Sequence, residues 1–424
     1  MYVPSNTLAP PGEGARTRTP ARAASMPALC VVVLIAAFFS LAMQIGFWRT
    51  VGMGPGFESI SVAKSLALKG TFADPFDGPT GPTAHLAPLW PFVLAGMYRA
   101  AGSEAHFRVM AFSVTIVLHA LNVLFLFLLA HELLGNWLSR YCTVALALMV
   151  PLYQVIPPSD AICVSAGLLA FWLLARRRRL ILCGLFGGLL LLFSPAVLFI
   201  LAPIAAYEWK RVKAVGVFLA IALVVILPWE IRNYSVFHKV FFIRDNLGLE
   251  LDVYNNDCEI HGTGGCVPHP MLSAEERARI AAMGEASYDE MRMHHALGWF
   301  KTHPGEALRL VAGRIAGFWF PIRAAAPYGF CIAAITLLSL WGCWRLLRDR
   351  RQVFWPMLAI SVLYPPVYYL VRFDLRYRYT ILWVSILAAG YGAARLIEGL
   401  GSWPRAPGSA RGSRARWGTA AHRR

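Results

Sequence analysis

Glu58 begins a stretch that carries several side chains capable of acid–base chemistry. Lys64 follows it in the segment ESISVAKSLALKGTF, and His85 lies further on in a loop rich in proline and glycine. A carboxylate beside apolar walls can acquire a raised pKa and act as a general base. An acid at the start of a helix is also favoured simply by the helix dipole. The residues alone leave both interpretations of Glu58 open.

Three arginines lie close together near the C-terminus, between two apolar runs: Arg372, Arg376 and Arg378. The guanidinium group presents a planar fork that matches the oxygens of a phosphate. These side chains are therefore candidates for binding an anion at the level of lipid headgroups. The alternative is a polar turn, solvated by headgroups or paired with Asp374.

Two further candidates follow apolar runs. Arg232, with Lys239 and Arg244 after it, could meet a phosphate or could be ordinary positive surface on a large loop. Asp160 follows Pro157-Pro158 in a short turn, where it is either a second acid near the site or the N-cap of the next helix.

Two cysteines and two histidines follow one another with the spacing C-x2-H-x4-C-x2-H: Cys258, His261, Cys266 and His269. Four such side chains can bind zinc tetrahedrally. The simpler interpretation is a small disulfide loop between the two cysteines in an oxidising compartment. His269 would then be available for another contact.

The composition is that of a membrane protein. Of 424 residues, 57% are hydrophobic and 15% are charged, with a mean hydropathy of +0.53. Soluble domains carry about a quarter charged residues. The formal net charge of +17 does not indicate nucleic-acid binding, because the basic residues form short clusters between apolar runs instead of one basic face. The clusters indicate membrane topology.

Apolar runs predict an all-α bundle of about ten transmembrane helices. The run 180–207 is flanked by basic clusters at both ends, and basic residues beside short loops stay in the cytoplasm, so it is interpreted as two short helices bent at Ser194-Pro195. The other predicted spans are 28–47, 107–130, 141–157, 160–175, 214–229, 327–344, 353–371 and 379–398.

This topology puts both termini in the cytoplasm and predicts five regions along the chain. They are a disordered cytoplasmic tail at 1–25, a transmembrane core at 26–229 with a first outer loop at 48–106, an extracytoplasmic helical region at 230–326, C-terminal transmembrane helices at 327–400, and a basic cytoplasmic tail at 401–424.

The outer segments have helix signals of their own. Residues 86–101 fall short of the roughly 20 that a span needs, which predicts an interfacial or re-entrant helix with Trp90 at the headgroup level. Ser273 and Glu276 form a capping box before a helix expected to run to about Lys301. Pro304 opens an amphipathic helix, and together these predict a small helical lid.

Several segments match a family pattern. They are an acid soon after the first span, AKSLALKGTF, GPTAHLAPLWPFVLAGMYRAAG, PWEIRNYSVFHKVFFIRDNLGLEL, the HP pair at His269, GEASYDEM, HPGEALRLVAGRIAGFW and RYRYTI. Together they resemble membrane glycosyltransferases of the GT-C type, in particular the bacterial family 39 relatives of protein O-mannosyltransferases and of the lipid A aminoarabinose transferase. In that family an acid of the first outer loop is the catalytic base, commonly in an Asp-Asp or Asp-Glu pair. Here Phe57 precedes Glu58, so the role falls on Glu58 alone, and no metal ligand is assigned although a divalent metal stays possible.

The resemblance implies a multi-pass enzyme of the bacterial inner membrane that uses a polyprenyl-phosphate sugar as donor. Transfer to a hydroxyl of a glycan, lipid or protein would be inverting, on the extracytoplasmic face, with Glu58 as base. The expected substrate contacts are Lys64, His85, Asp160, Arg232, His269, Arg372, Arg376 and Arg378, and the other partners are membrane lipids. Two alternatives stay open: a transporter or lipid flippase, and a non-catalytic relative of the transferases.

Overall fold

The computed structural model describes residues 26–51, 58–76, 78–149, 160–262, 266–322 and 328–401. Within these ranges the chain forms helices joined by short connections, and the only β pairing is an isolated bridge between Ala73 and Pro82. The predicted tails at 1–25 and 401–424 lie outside the described residues, apart from Gly401.

Eighteen helices follow one another in the described ranges. The first nine are α1 (Met26–Val51), α2 (Glu58–Lys69), α3 (Leu89–Ala101), α4 (Glu104–Leu134), α5 (Trp137–Met149), α6 (Asp160–Arg176), α7 (Leu180–Phe193), α8 (Leu198–Trp209) and α9 (Val212–Phe237). The next five are α10 (Leu247–Tyr254), α11 (Asp257–His261), α12 (Ala274–Met283), α13 (Glu285–Thr302) and α14 (Pro304–Trp319). The last four are α15 (Tyr328–Asp349), α16 (Arg351–Leu363), α17 (Pro366–Leu370) and α18 (Leu375–Gly401).

The prediction of an all-α, multi-pass membrane protein is confirmed. Each predicted span overlaps a helix, although 353–371 is divided between α16 and α17 and the span 141–157 is described only to Met149. Five stretches of the described chain are long and apolar enough to cross a membrane: Glu104–Leu134, Val212–Phe237, Gly329–Asp349, Arg351–Leu370 and Leu375–Leu400. Shorter apolar helices lie at Pro27–Phe39, Leu180–Phe193 and Pro195–Trp209. The count of ten spans and their orientation remain predictions.

The predicted bend in the run 180–207 is present. Helix α7 ends at Phe193, Ser194 is extended (φ −160°), and a single 3-10 turn at Pro195–Val197 leads into α8. Proline has no N–H to continue the hydrogen bonds of the preceding helix, so the break falls at this residue. It opens the bundle on one side, where a cavity lies.

Two predicted details of the outer helices differ from the structure. The expected single helix to Lys301 is divided between α12 and α13 because Gly284 takes a left-handed φ of +83°, although Ser273 does cap α12 by accepting the N–H of Glu276. Trp90 does not lie at an exposed headgroup position. It is buried on α3, which packs against α2 through Arg99 and its bonds to the carbonyls of Ala67 and Leu66.

Candidate active site

Three side chains from distant parts of the sequence converge at the start of α2. Nε2 of His85 and Nε2 of His269 each lie 3.9 Å from Oε1 of Glu58. Phe76 forms a wall behind both rings, with its centroid 4.8 Å from that of His85 and 5.7 Å from that of His269. The His85 side chain is buried, whereas Glu58 and His269 are partly exposed. Glu58 thus faces open space with a histidine on either side.

The loop between α2 and α3 is held in shape by its own polar groups. Asp74 adopts a left-handed φ of 60°, and its Oδ1 accepts the N–H groups of Thr80 and Gly81 at 3.0 Å each. Asp tolerates this backbone conformation because its short side chain can bond locally. Lys69 pairs with the other carboxylate oxygen of Asp74 at 2.9 Å. The loop therefore presents His85 on a fixed backbone.

Both site histidines are expected to be neutral near pH 7. Burial lowers the pKa of His85 well below its ordinary value, with the charges of His269 and Arg244 adding to the effect. Burial also lowers the pKa of His269, opposed in part by the negative charge of Glu58. Neutral imidazole can donate one hydrogen bond to the carboxylate without removing its negative charge.

The cluster Glu58, His85 and His269 has the residue types of a metal site, with one ligand atom from each lying within 4.8 Å of the others. One contact argues against a full set of three ligands. The backbone N–H of Met271 donates to Nδ1 of His269 at 3.2 Å. That bond requires a lone pair on Nδ1, so neutral His269 carries its proton on Nε2. Nε2 is then a donor toward Glu58, and a metal would have Glu58 and His85 as ligands.

A cavity of about 330 Å³ lies between α6, α8, α10, α17 and α18. Its walls are mostly apolar, and its polar lining is concentrated in a few charged and aromatic side chains. The residues that give it chemical character are Asp160, Arg244, Asn246, Glu250, Tyr364, Tyr368, Arg376 and Tyr377. Ser194 and Pro195, at the bend between α7 and α8, also line it.

Opposite charges face each other within the cavity. Arg244 is oriented by Asn246, whose Oδ1 accepts its Nε–H at 2.8 Å, and Asn246 also bonds Glu250 at 3.4 Å. Burial raises the pKa of Glu250, Arg244 and Arg376 oppose this, and the negative charge of Glu58 adds to it. Glu250 therefore lies within electrostatic range of Glu58, although none of the three cluster residues lines the cavity itself.

Arg376 carries binding capacity that the described residues do not use. Its Nη2 donates to the hydroxyl of Tyr377 at 2.9 Å, while its buried Nε has no hydrogen-bond partner in the described part of the chain. Arg372 lies close by, where its Nη1 donates to the hydroxyl of Tyr254 at 2.6 Å. Of the three predicted arginines near the C-terminus, Arg376 lines the cavity and Arg372 flanks the site through Tyr254.

Arg378 is not brought to the cavity. Residues two apart on a helix point to nearly opposite sides, so Arg378 faces away from Arg376. It is fully buried, donates to the hydroxyl of Ser385 at 2.8 Å and lies 4.6 Å over the Trp319 ring. Its contacts join α14, α15 and α18.

Three other predicted residues have clear positions. Asp160 begins α6 and lines the cavity. Arg232 binds protein instead of facing the cavity, since it donates to the carbonyls of Thr83 and Phe72 at 2.8 and 3.1 Å. Lys64 is half-exposed and pairs with Glu104 at 3.1 Å, away from the cluster.

The predicted disulfide between Cys258 and Cys266 is present, with a Cα–Cα distance of 5.7 Å. Because both thiols are used in the disulfide, they cannot bind zinc as the spacing C-x2-H-x4-C-x2-H had allowed. His269 turns instead toward Glu58.

Sequence reasoning missed Glu250, Tyr254 and Tyr377, and it gave Arg244 only as a possible phosphate contact. The signal that could have found Glu250 is the segment RDNLGLEL, where Arg244 and Glu250 lie on either side of the start of a short helix inside a large outer loop.

Comparisons with known proteins give only structural neighbours. No family model matches the sequence, and no curated protein matches it. Among solved structures, ArnT from Cupriavidus metallidurans bound to undecaprenyl phosphate is 16% identical, with a TM-score of 0.36, over 88% of this chain and 78% of that one. The apo structure of the same protein gives the same identity and TM-score over 87% of this chain and 78% of that one. ArnT is a lipid A aminoarabinose transferase of the GT-C family, the type of enzyme that the sequence resembles, but a TM-score of 0.36 supports no inference about this site.

Proposed function

We propose that this protein is a membrane glycosyltransferase that transfers a sugar from a polyprenyl-phosphate donor to a hydroxyl acceptor, with Glu58 as general base. The observation that carries the proposal is one arrangement: a carboxylate 3.9 Å from each of two histidines, near a cavity that combines apolar walls with two arginines, one of which has a donor without a partner among the described residues. A base and an anion site side by side are what transfer from a phosphate leaving group requires.

The donor phosphate is assigned to Arg376 and Arg244. Both line the cavity, and the Arg376 Nε–H has no partner among the described residues. Guanidinium groups held in a site with little water stabilise the charge that develops on a leaving phosphate. Glu250 and Asp160, on the same cavity wall, are suited to accept hydrogen bonds from sugar hydroxyls.

The lipid tail is assigned to the apolar rim of the cavity. Phe199, Phe242 and Leu247 line the cavity and are 41%, 48% and 48% exposed. Apolar side chains that are exposed at the edge of the cavity are unfavourable in water but favourable in contact with acyl chains. A polyprenyl chain would leave the cavity across this rim.

The reaction is a single displacement. The acceptor oxygen attacks the anomeric carbon, the bond from that carbon to the phosphate oxygen breaks, and the acceptor proton passes to Glu58. One displacement inverts the anomeric configuration and releases the polyprenyl phosphate. Nε2–H of His269 lies 3.9 Å from the Glu58 carboxylate, too far for a hydrogen bond in this state, and we propose that it orients the carboxylate by donating to it once substrate is bound. No step requires a metal.

The site is proposed to face the extracytoplasmic side of a bacterial inner membrane, with both termini in the cytoplasm. Nucleotide sugars are absent there, which suits a lipid-linked donor. The acceptor is a hydroxyl of a glycan, lipid or protein.

The proposal is tested with purified protein in lipid nanodiscs supplied with a radiolabelled polyprenyl-phosphate sugar and a bacterial membrane extract as acceptor. Glu58→Gln should lower kcat by about a thousandfold while the donor still binds, because only the base is removed. The matched control is Glu104→Gln, which removes a carboxylate bonded to Lys64 and should keep the wild-type rate. A wild-type rate in Glu58→Gln would sink the assignment. Movement of the intact donor across the bilayer of sealed vesicles that contain the protein, without sugar transfer, would favour a flippase.

A further inference from the structure

The segment 83–85, which carries His85, is bonded to three separate parts of the chain. The N–H of Thr83 donates to the carbonyl of Phe72 at 3.1 Å, and its carbonyl accepts from Arg232 at 2.8 Å. The carbonyl of Ala84 accepts the N–H of Asp245 at 2.9 Å. Few backbone groups of this segment are left to solvent, so its position is set by protein contacts.

Glu285 makes the bonds that bear most directly on His85. The Thr83 hydroxyl donates to its Oε2 at 2.5 Å, and the Ala84 N–H donates to its Oε1 at 2.6 Å. The same Thr83 oxygen accepts the N–H of His85 at 3.0 Å. Glu285 lies 202 residues from Thr83 in the sequence, and its side chain is buried. The Thr83 hydroxyl thus links the Glu285 carboxyl group to the backbone N–H of His85.

The helix that carries Glu285 also holds the cavity side of the site. One turn further along α13, Asp289 accepts the N–H groups of Gly248 and Leu249 at the start of α10, at 3.0 and 2.9 Å. The two helices touch so closely that a Cβ on Gly248 would lie 2.1 Å from the Asp289 carbonyl oxygen. Helix α10 carries Glu250, which lines the cavity. Helix α13 therefore binds the segment 83–85 through Glu285 and the start of α10 through Asp289.

We propose that Glu285 is a positioning residue for the reaction: through Thr83 and Ala84 it fixes His85 against Glu58, and it joins the outer helices to the first loop. The inference rests on the proposed function only where it names Glu58 as the group that reacts. That Glu285 sets the position of His85 does not depend on what the substrate is.

The surroundings of Glu285 determine which substitution preserves its hydrogen bonds to Thr83 and Ala84. Burial raises its pKa to about 8, opposed by the bonds from Thr83 and Ala84 and supported by the negative charges of Asp245 and Asp289. Arg232 faces it from α9. The carboxyl group therefore carries a proton for much of the time at neutral pH, and its bond to Thr83 then runs from the carboxyl O–H. Glutamine can make the same two bonds, whereas methionine fills the space and can make neither.

The experiment uses the full-length protein in nanodiscs and measures how fast diethyl pyrocarbonate modifies His85, with exposed His106 of the same molecule as reference. Glu285→Met and Thr83→Val should each raise the His85 rate at least about fivefold and lower kcat about tenfold with little change in KM. Glu285→Gln and Thr83→Ser should restore both values. Glu276→Met is the matched control, because Glu276 is another buried acid of the outer helices and bonds Tyr288 and Arg292 but not the segment 83–85.

The outcomes separate cleanly. Modification of His85 at the wild-type rate in Glu285→Met and Thr83→Val would overturn the inference, as would equal exposure of His85 in Glu276→Met. The labelling needs no substrate. If the labelling follows the expected pattern while the wild-type protein transfers no sugar, the positioning role stands and the proposed function fails.

Discussion

Two partly buried groups of charged side chains lie at opposite ends of α6, one at Asp160 and the other at Arg176. In the second group Arg176 bridges Glu132 at 2.7 Å and Glu208 at 3.0 Å, and Trp172 donates to Glu208 at 2.8 Å. Every charge there meets an opposite charge on a neighbouring helix. At the Asp160 end, Arg244, Glu250 and Arg376 surround an open cavity instead.

The difference separates a structural role from a binding role. A buried charge is tolerated when it is paired and hydrogen-bonded, as at the Arg176 end, where the group joins α4, α6 and α8. A buried arginine that faces open volume with an unused donor costs stability unless a ligand meets it. Arg376 fits the second description, which is why the anion site is assigned there and not to the larger basic clusters of the sequence.

The largest expected effect is on activity at the cavity end. Arg376→Gln should lower kcat by about 10² to 10³, because one of the groups that stabilise the leaving phosphate is lost. Thermal unfolding should change little, since the guanidinium has no acidic partner bonded to its side chain among the described residues. Sugar transfer and unfolding midpoints measured on the same preparation check this prediction. A large loss of stability with an unchanged rate would make Arg376 a structural residue.

The opposite pattern is expected at the Arg176 end. Arg176→Met should destabilise the protein by about 2–4 kcal/mol, because Glu132 and Glu208 are left without their shared cation; a quarter of the Arg176 side chain is exposed, which keeps the cost below that of a fully buried pair. Chemical unfolding in a fixed detergent measures it. The rate per folded molecule should stay at the wild-type value, and a selective loss of turnover would contradict the comparison.

A smaller effect is expected from pH. The pKa of Glu285 is raised to about 8 by burial, and that of Asp245 to about 7 by burial and by Asp289. When the pKa of an acid is higher in the folded state than in the unfolded state, its protonated form stabilises the fold. That stabilisation is complete only below the ordinary pKa, and it is lost as the pH rises to the raised pKa of the folded state. The unfolding midpoint should therefore fall by roughly 2–4 °C between about pH 6 and pH 9.

Glu285→Gln cannot ionise, so it should flatten that pH profile without lowering the midpoint at about pH 6. Unfolding followed by tryptophan fluorescence across the pH series measures both proteins. An unchanged slope in Glu285→Gln would show that other groups cause the loss.

The smallest expected effect is that of metal removal. The Met271 N–H bonded to Nδ1 keeps the His269 proton on Nε2, so the cluster lacks a third ligand. Sugar transfer after dialysis against EDTA should stay within about twofold of the untreated rate. A loss that Zn²⁺ or Mn²⁺ restores would show that His269 gives up that bond and that the cluster acts with a metal.

Much of the fold could be predicted from the sequence because a membrane helix is set by local composition. The apolar runs, the bend at Ser194-Pro195 and the cap at Ser273 all depend on residues close together in the chain. The break at Gly284 could not, since a glycine inside a helix pattern is often tolerated.

Individual residues of the candidate site were predicted from the sequence, but their convergence was not. Glu58, His85 and His269 each carried a signal, but their meeting depends on how the outer helices dock, which local patterns do not encode. Glu250 was missed because an acid on a short helix in an outer loop resembles ordinary surface until its burial is known. The prediction grouped Arg376 with Arg378, although both belong to one helix and helical periodicity puts residues two apart on nearly opposite sides.

The central claim is that the cavity beside Glu58 binds a polyprenyl phosphate through Arg376. Native mass spectrometry of the purified protein with added undecaprenyl phosphate tests it directly. One lipid should be retained by the wild type, by Glu58→Gln and by folded Arg176→Met, and its binding to Arg376→Gln should be at least about tenfold weaker. Equal retention by Arg376→Gln and the wild type would contradict the account.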